Sequence, residues 1–219
     1  MKKPDITENH IHSMQETKFV NMFDIQYQEG KHYYDVTRRA KKVMVALKTD
    51  EEFLNLEPDA SNCIVIVRTP GEEPRLVLFY EFRYPTGRFL LSPPAGLIDP
   101  EDKGKKDATL ITAAREIHEE TGIVVKPTDR LFEVSPLVFS TPGLTDECNA
   151  LVCAVVDLDD LSSLTQKGAE GSECFNGFCL LNKEQAEEVL RTGRDEYGNF
   201  YSVYTWMALI YFVTGMWEE

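Results

Sequence analysis

With 219 residues, 42% hydrophobic and 27% charged, the chain is long enough for one large domain or a core with a small accessory domain. A formal net charge of −14 argues against nonspecific nucleic-acid binding, because that affinity comes mainly from basic side chains displacing counterions. The five cysteines, Cys63, Cys148, Cys153, Cys174 and Cys179, are odd in number and lack CxxC spacing, so the reading is reduced thiols in place of a disulfide framework.

In chain order, residues 1–17 are polar and read as frayed. The opening MKKPDITENH has no apolar segment after its lysines, so a cytoplasmic protein without a secretory leader is expected. Residues 19–27 and 32–39 flank a turn at Gln28, Glu29 and Gly30, which predicts an antiparallel hairpin that residues 43–47 could extend. Residues 48–62 are acidic and irregular, a linker or insertion, which predicts an N-terminal β-region over 1–60 and a main domain over 61–219. Residues 63–68 and 75–82 are rich in Val, Ile and Leu around Pro70 and Gly71, a second hairpin. A strand over 89–92 leads into a Pro-Pro-Ala-Gly turn, then a charged loop over 100–106.

Residues 108–121 hold good helix formers, with Asp107 as N-cap and Gly122 where helices commonly end left-handed. Strands follow over 131–138, 149–157 and 178–181, and helices over 184–191 and 201–214. The apolar stretch 203–216 is shorter than the ~20 residues a bilayer requires, so it reads as a buried helix and no membrane partner is expected. Strands interleaved with a few helices give an α/β (α+β) class, an α/β/α sandwich around a mixed sheet, with a small N-terminal antiparallel β-sheet.

The helix over 108–121 carries the densest chemical signal. At about 100° per residue, Leu110, Ala113, Ile117 and Thr121 form one stripe. Glu116, Glu119 and Glu120 cluster at i, i+3 and i+4 beside that stripe instead of opposite it. Clustered glutamates usually mean a solvated face, but like charges set against a packing surface need a partner, and hard divalent cations are the natural one.

The string REIHEETGI (Arg115 to Ile123), preceded by Pro94, Ala95 and Gly96, resembles the Nudix box GX5EX7REUXEEXGU and implies a metal-dependent pyrophosphohydrolase. Gly96 stands five positions further from Arg115 than the box prescribes. Counted back from Arg115, the place of the first box glutamate falls on Asp107; an alternative alignment uses Glu101 or Asp102. The order YEFRYPTG, SPPAGLID, box, STPGLTDE resembles the ADP-ribose pyrophosphatase branch.

That resemblance implies a role for each matching residue. Glu116 and Glu120 become direct ligands of Mg²⁺ (Mn²⁺ being possible in its place), joined by the Ala95 carbonyl, with Glu119 a ligand or an outer group. Arg83 would meet the substrate phosphates, and Phe19, Tyr34 and Arg38 would contact the adenosine half from an N-terminal sheet that reaches into the partner of a homodimer. The general base would be Glu173, with Glu170 as the other candidate. The implied reaction is hydrolysis of ADP-ribose or a related nucleoside diphosphate sugar to AMP and a sugar phosphate. The competing readings are a Nudix hydrolase of another nucleoside diphosphate derivative and a noncatalytic nucleotide-sensing Nudix module.

Overall fold

The computed structural model describes residues 3–168 and 173–219. The chain forms two compact units: unit 1 comprises Met1–Asp59 and Leu137–Asn149, and unit 2 comprises Ala60–Pro136 and Ala150–Glu219.

In unit 1, strands β1 (Ile11–Glu16), β2 (Asn21–Gln28) and β3 (Lys31–Thr37) form an antiparallel sheet in that order. The expected hairpin is β2–β3, closed at Gly30, whose φ of 66° suits a residue without a Cβ. Ile11, Phe23, Ile25 and Met44 form its core. Each such fully buried side chain contributes roughly 1.5–3 kcal/mol.

Three expectations change here. The polar start is not frayed throughout: β1 pairs with β2, and it escaped notice because only Ile11 of its six residues is buried. Backbone pairing holds such an edge strand without the alternation that marks one. Residues 43–47 do not extend the sheet but belong to two 3-10 turns, Lys41–Val43 and Val45–Leu47, which drop Met44 into the core. The presumed linker contains helix α1 (Asp50–Leu54), started by a capping box in which Thr49 accepts from Glu52 N while the Glu52 carboxylate takes the Thr49 N–H.

The segment 137–149 meets unit 1 through backbone bonds such as Val36 N–H to the Leu144 carbonyl, and through one largely buried guanidinium. Arg39 donates to Asp59 Oδ2 at 2.9 Å and to Asp146 Oδ1 and its carbonyl, both at 3.1 Å. Asp59 Oδ2 also accepts the Cys148 N–H, and Asp146 Oδ2 accepts that of Val45. All three side chains are largely buried, 10–13% exposed.

Unit 2 is built on a seven-stranded sheet. Strands β4 (Ala60–Arg68), β5 (Arg75–Arg83), β8 (Arg130–Phe139), β9 (Cys148–Asp157) and β10 (Phe175–Leu181) run in the order β10-β5-β4-β9-β8, with β6 (Arg88–Ser92) on β5 and β7 (Ala95–Leu97) on β4. Alternate residues of β4 face opposite sides. Cys63, Val65 and Val67 pack with Ala113 and Ile117 of α2 (Ala108–Thr121), while Ile64 and Ile66 pack with Ala186 of α3 (Lys183–Thr192) and Ala208, Leu209 and Phe212 of α4 (Val203–Val213). Helices thus cover both faces, the expected α/β/α sandwich. Among the described residues no helix is long and apolar enough to cross a membrane. All five cysteines are free; Cys63, Cys148 and Cys153 are buried and Cys174 is exposed.

Replacing Arg39 would strand two buried carboxylates. Arg39→Met should lower the unfolding free energy by about 3–5 kcal/mol in urea denaturation. A loss below about 1 kcal/mol, the scale of an exposed pair, would show that the cluster does not hold the segment.

Candidate active site

Helix α2 takes its apolar stripe as expected: Ala113, Ile117 and Thr121 are buried and Leu110 is half-covered. Its C-terminus is set by Gly122, left-handed at φ 75°, whose N–H closes on the His118 carbonyl at 2.8 Å. The N-terminal expectation differs, because Asp107 occupies the cap position without making a side-chain cap bond.

The stripe carries two glutamates into the protein. Glu116 is 7% exposed and Glu120 4%, whereas Glu119 stays half-exposed at the edge. The Pro-Pro-Ala-Gly turn meets them directly. Strand β7 pairs with β4 (Asn62↔Ala95, Ser61↔Gly96), which presents the Ala95 N–H to Glu120 Oε2 at 3.0 Å. A Cβ on Gly96 would collide with the Glu116 carboxylate, so only glycine lets the turn lie against that group. Gly168 is similar, since a Cβ there would strike the Glu119 carbonyl.

Arg115 gathers the outer oxygens. Its Nη1 lies 2.8 Å from Glu116 Oε1 and 2.9 Å from Glu119 Oε2, its Nη2 donates to the Leu97 carbonyl at 3.1 Å, and Asp99 Oδ2 is 3.2 Å from Nε. Of the acids in the loop before α2, Asp99 is the one whose charge acts on Arg115. Asp102 is buried but bonded to Lys105 at 2.6 Å, which folds the charged loop on itself.

Two more acids join from the sheet. Glu81 on β5 is partly buried, with Arg83 Nη2 2.6 Å from its Oε2. Glu173 stands just before β10, where Phe82 N donates to the Cys174 carbonyl and Phe175 pairs with Glu81. It is exposed, and its charge raises the pKa of Glu81, Glu116 and Glu120. Burial is the largest cause in all three; it pushes Glu116 up to about 7 and Glu120 to about 9. Ion pairing with Arg115 and the Ala95 N–H pull these two the other way and do not prevail.

The expected residues thus divide between the units. Ala95, Glu116, Glu119, Glu120, Glu173 and Arg83 belong to unit 2, and Glu170 lies outside the described residues. Phe19, Tyr34 and Arg38 belong to unit 1, where Phe19 is 69% and Tyr34 46% exposed, and Arg38 Nε bonds Glu147 Oε2 at 3.1 Å. Sequence reading missed Glu81 and Asp99. Strand alternation could have found Glu81, because it stands two residues from Arg83 and shares its face; Asp99 had no periodic signal.

Among the described residues no three acidic, histidine or cysteine side chains are poised as a ready metal cage. The donors nevertheless fit a hard divalent cation. They are oxygens, two are buried carboxylates whose ionised forms lack sufficient compensation, and Mg²⁺ commonly takes only one or two carboxylates besides substrate oxygens.

A carboxyl with a higher pKa folded than unfolded binds more protons in the folded state, so stability falls as pH rises between the two values. For Glu116 and Glu120 that window runs from the ordinary 4.5 to about 7 and about 9. In EDTA, the wild-type protein should lose stability across this window more steeply than Glu120→Gln, measured by urea unfolding at stepped pH. Parallel profiles for the two proteins would contradict the buried-carboxylate account.

A family profile described as NUDIX domain matches residues 58–203. A Nudix hydrolase of Caenorhabditis elegans is 39% identical over 132 residues, covering 60% of this chain and 50% of that protein. The ADP-sugar pyrophosphatase of Mus musculus is 31% identical over 125 residues, covering 57% of this chain and 53% of that protein. The chain thus spans about half the length of these relatives. A crystal structure described as an ADP compounds hydrolase superposes with a TM-score of 0.57 at 16% identity, covering 99% of this chain and 95% of that one, a likeness of fold. Because the profile runs through about two thirds of the chain, from the entry to β4 to the first residue of α4, the chain belongs to the Nudix family.

Proposed function

We propose that the protein hydrolyses the diphosphate bond of ADP-ribose or a related nucleoside diphosphate sugar, giving AMP and a sugar phosphate. The observation that carries this reading is the pair of buried carboxylates, Glu116 and Glu120, against a turn that only Gly96 allows so close. The mouse relative's name, ADP-sugar pyrophosphatase, supports the substrate class.

Glu116 and Glu120, with the Ala95 carbonyl and Glu119 at the edge, would hold Mg²⁺ or Mn²⁺. Bound there, the cation supplies charge neutralisation and Lewis-acid activation at the diphosphate. Arg115 orients Glu116 and Glu119 from one side, while the Ala95 N–H fixes one oxygen of Glu120 from the other. Arg83, at the exposed end of β5, would swing from Glu81 to the substrate phosphates. Glu173 takes the proton of the attacking water as its oxygen bonds to phosphorus and the bridging oxygen departs. Its place beside the acidic pair, where its charge acts on Glu81, Glu116 and Glu120, supports this role. Glu81 positions Arg83 and adds to the negative field.

Phe19 and Tyr34 would stack on the adenine of a partner subunit's substrate, and Arg38 would lend a basic contact. The exposure of both rings supports this. The proposal includes a homodimer in the cytoplasm.

With Mg²⁺, the protein should release AMP from ADP-ribose, and EDTA should abolish the release. Glu120→Gln should lower kcat by at least about 10²-fold with its circular dichroism unchanged, and Glu173→Gln by a comparable factor with less effect on KM. Full turnover in Glu120→Gln would sink the assignment, as would silence of the wild type across a panel of nucleoside diphosphate derivatives. Light scattering should give a mass twice that of one chain; a monomer would remove the case for stacking across subunits.

A further inference from the structure

Residues 158–168 lead from β9 along the C-terminal turn of α2, and backbone contacts seat them there. The Leu158 N–H donates to the Arg68 carbonyl at 3.0 Å, and the Thr165 N–H donates to the Thr121 carbonyl at 2.9 Å. Gly168 then lies against the backbone of Glu119. The contacts at Thr121 and Glu119 fall on either side of Glu120.

Gln166 stands between those two contacts. Its Oε1 accepts the Gly177 N–H at 3.1 Å, a bond that reaches across eleven positions of sequence to β10. Its Nε2 is enclosed without a hydrogen-bond partner among the described residues, so the amide serves through its oxygen alone.

The strand is irregular where that bond lands. Pairing of β10 with β5 shifts between Phe175, opposite Glu81, and Phe178, opposite Phe79. The extra residue on β10 makes a bulge, and Gly177 is left-handed within it at φ 85°. On the N-terminal side of the bulge the Cys174 carbonyl accepts the Phe82 N–H at 2.9 Å, and Glu173 is the residue before it. A bulge re-aims the strand it interrupts, and a bond to its glycine holds that aim.

We propose that Gln166 is a positioning residue for Glu173: its side-chain oxygen ties the bulge of β10 to the loop seated on α2, and so fixes where the Glu173 carboxylate stands relative to Glu116 and Glu120. The assignment rests on the hydrolase reading, in which Glu173 is the general base. A base works only within hydrogen-bond reach of the proton it takes, about 2.6–3.2 Å. The acidic pair rides on α2 and Glu173 on the entry to β10, and Gln166 spans the two elements with one side chain.

The test is a kinetic double-mutant cycle on ADP-ribose with Mg²⁺, using Gln166→Met, Glu173→Gln and the two combined. Gln166→Met keeps the length of the side chain and removes its oxygen. It should lower kcat by about tenfold or more with KM unchanged and unfold at the wild-type temperature, since misplacement by about 1 Å can cost about 10²-fold. In the Glu173→Gln background the same substitution should cost less than about twofold, because the group it places is no longer a base. A merely structural role would lower kcat by the same factor in both backgrounds. That result overturns the proposal, as does wild-type kcat in Gln166→Met, and either leaves the hydrolase reading standing. A wild type silent toward every nucleoside diphosphate derivative overturns both. Should Gln166→Met not fold, Gln166→Ser, too short to reach Gly177, goes through the same cycle with the same outcomes.

Discussion

Burying two carboxylates on one helix costs several kcal/mol apiece unless opposite charge or hydrogen bonds accompany them, and much of the local architecture of unit 2 answers that cost. The Arg115 guanidinium, the Ala95 N–H and the close approach of Gly96 all converge on Glu116 and Glu120. They offset the cost only in part, as the upward pKa shifts of both acids record. A helix that satisfied its glutamates fully would have little affinity for a cation. Under the proposed function, that incompleteness is what would let the pair take a cation, while the apolar stripe of α2 keeps the helix anchored against the repulsion.

The sequence made α2 legible nearly to the residue because three independent signals coincide there: apolar period, left-handed glycine stop and acidic spacing. The buried strands of unit 2 were legible for a similar reason, since runs such as that of β4 have both faces covered and therefore read as continuous hydrophobics. Legibility failed where backbone bonding or a single side chain decides the conformation. Strand β1 buries one residue of six, and the turn around Met44 turns an apolar run away from the sheet.

At the site the same distinction holds. Glu116, Glu119 and Glu120 share a helix and announce themselves by spacing, whereas Glu81 and Asp99 reach the same place from other elements and need the register to bring them there. The loop before α2 could not be aligned by counting. Its charged residues satisfy one another, as in the Asp102–Lys105 pair, and leave Arg115 to a carboxylate nearer the turn.

The stretch 137–149 belongs to unit 1 although it emerges from one strand of the large sheet and returns into the next. During synthesis, Arg39 and Asp59 therefore wait for Asp146, some ninety residues later, before their ion cluster can close. The N-terminal sheet can pair early, since its contacts are local, but its completion is a late and nonlocal event. Unit 1 is thus completed around the synthesis of unit 2's first half, and a ribosome-bound chain that stops short of residue 146 leaves Arg39 with Asp59 alone, one of the two acids that surround it in the finished protein.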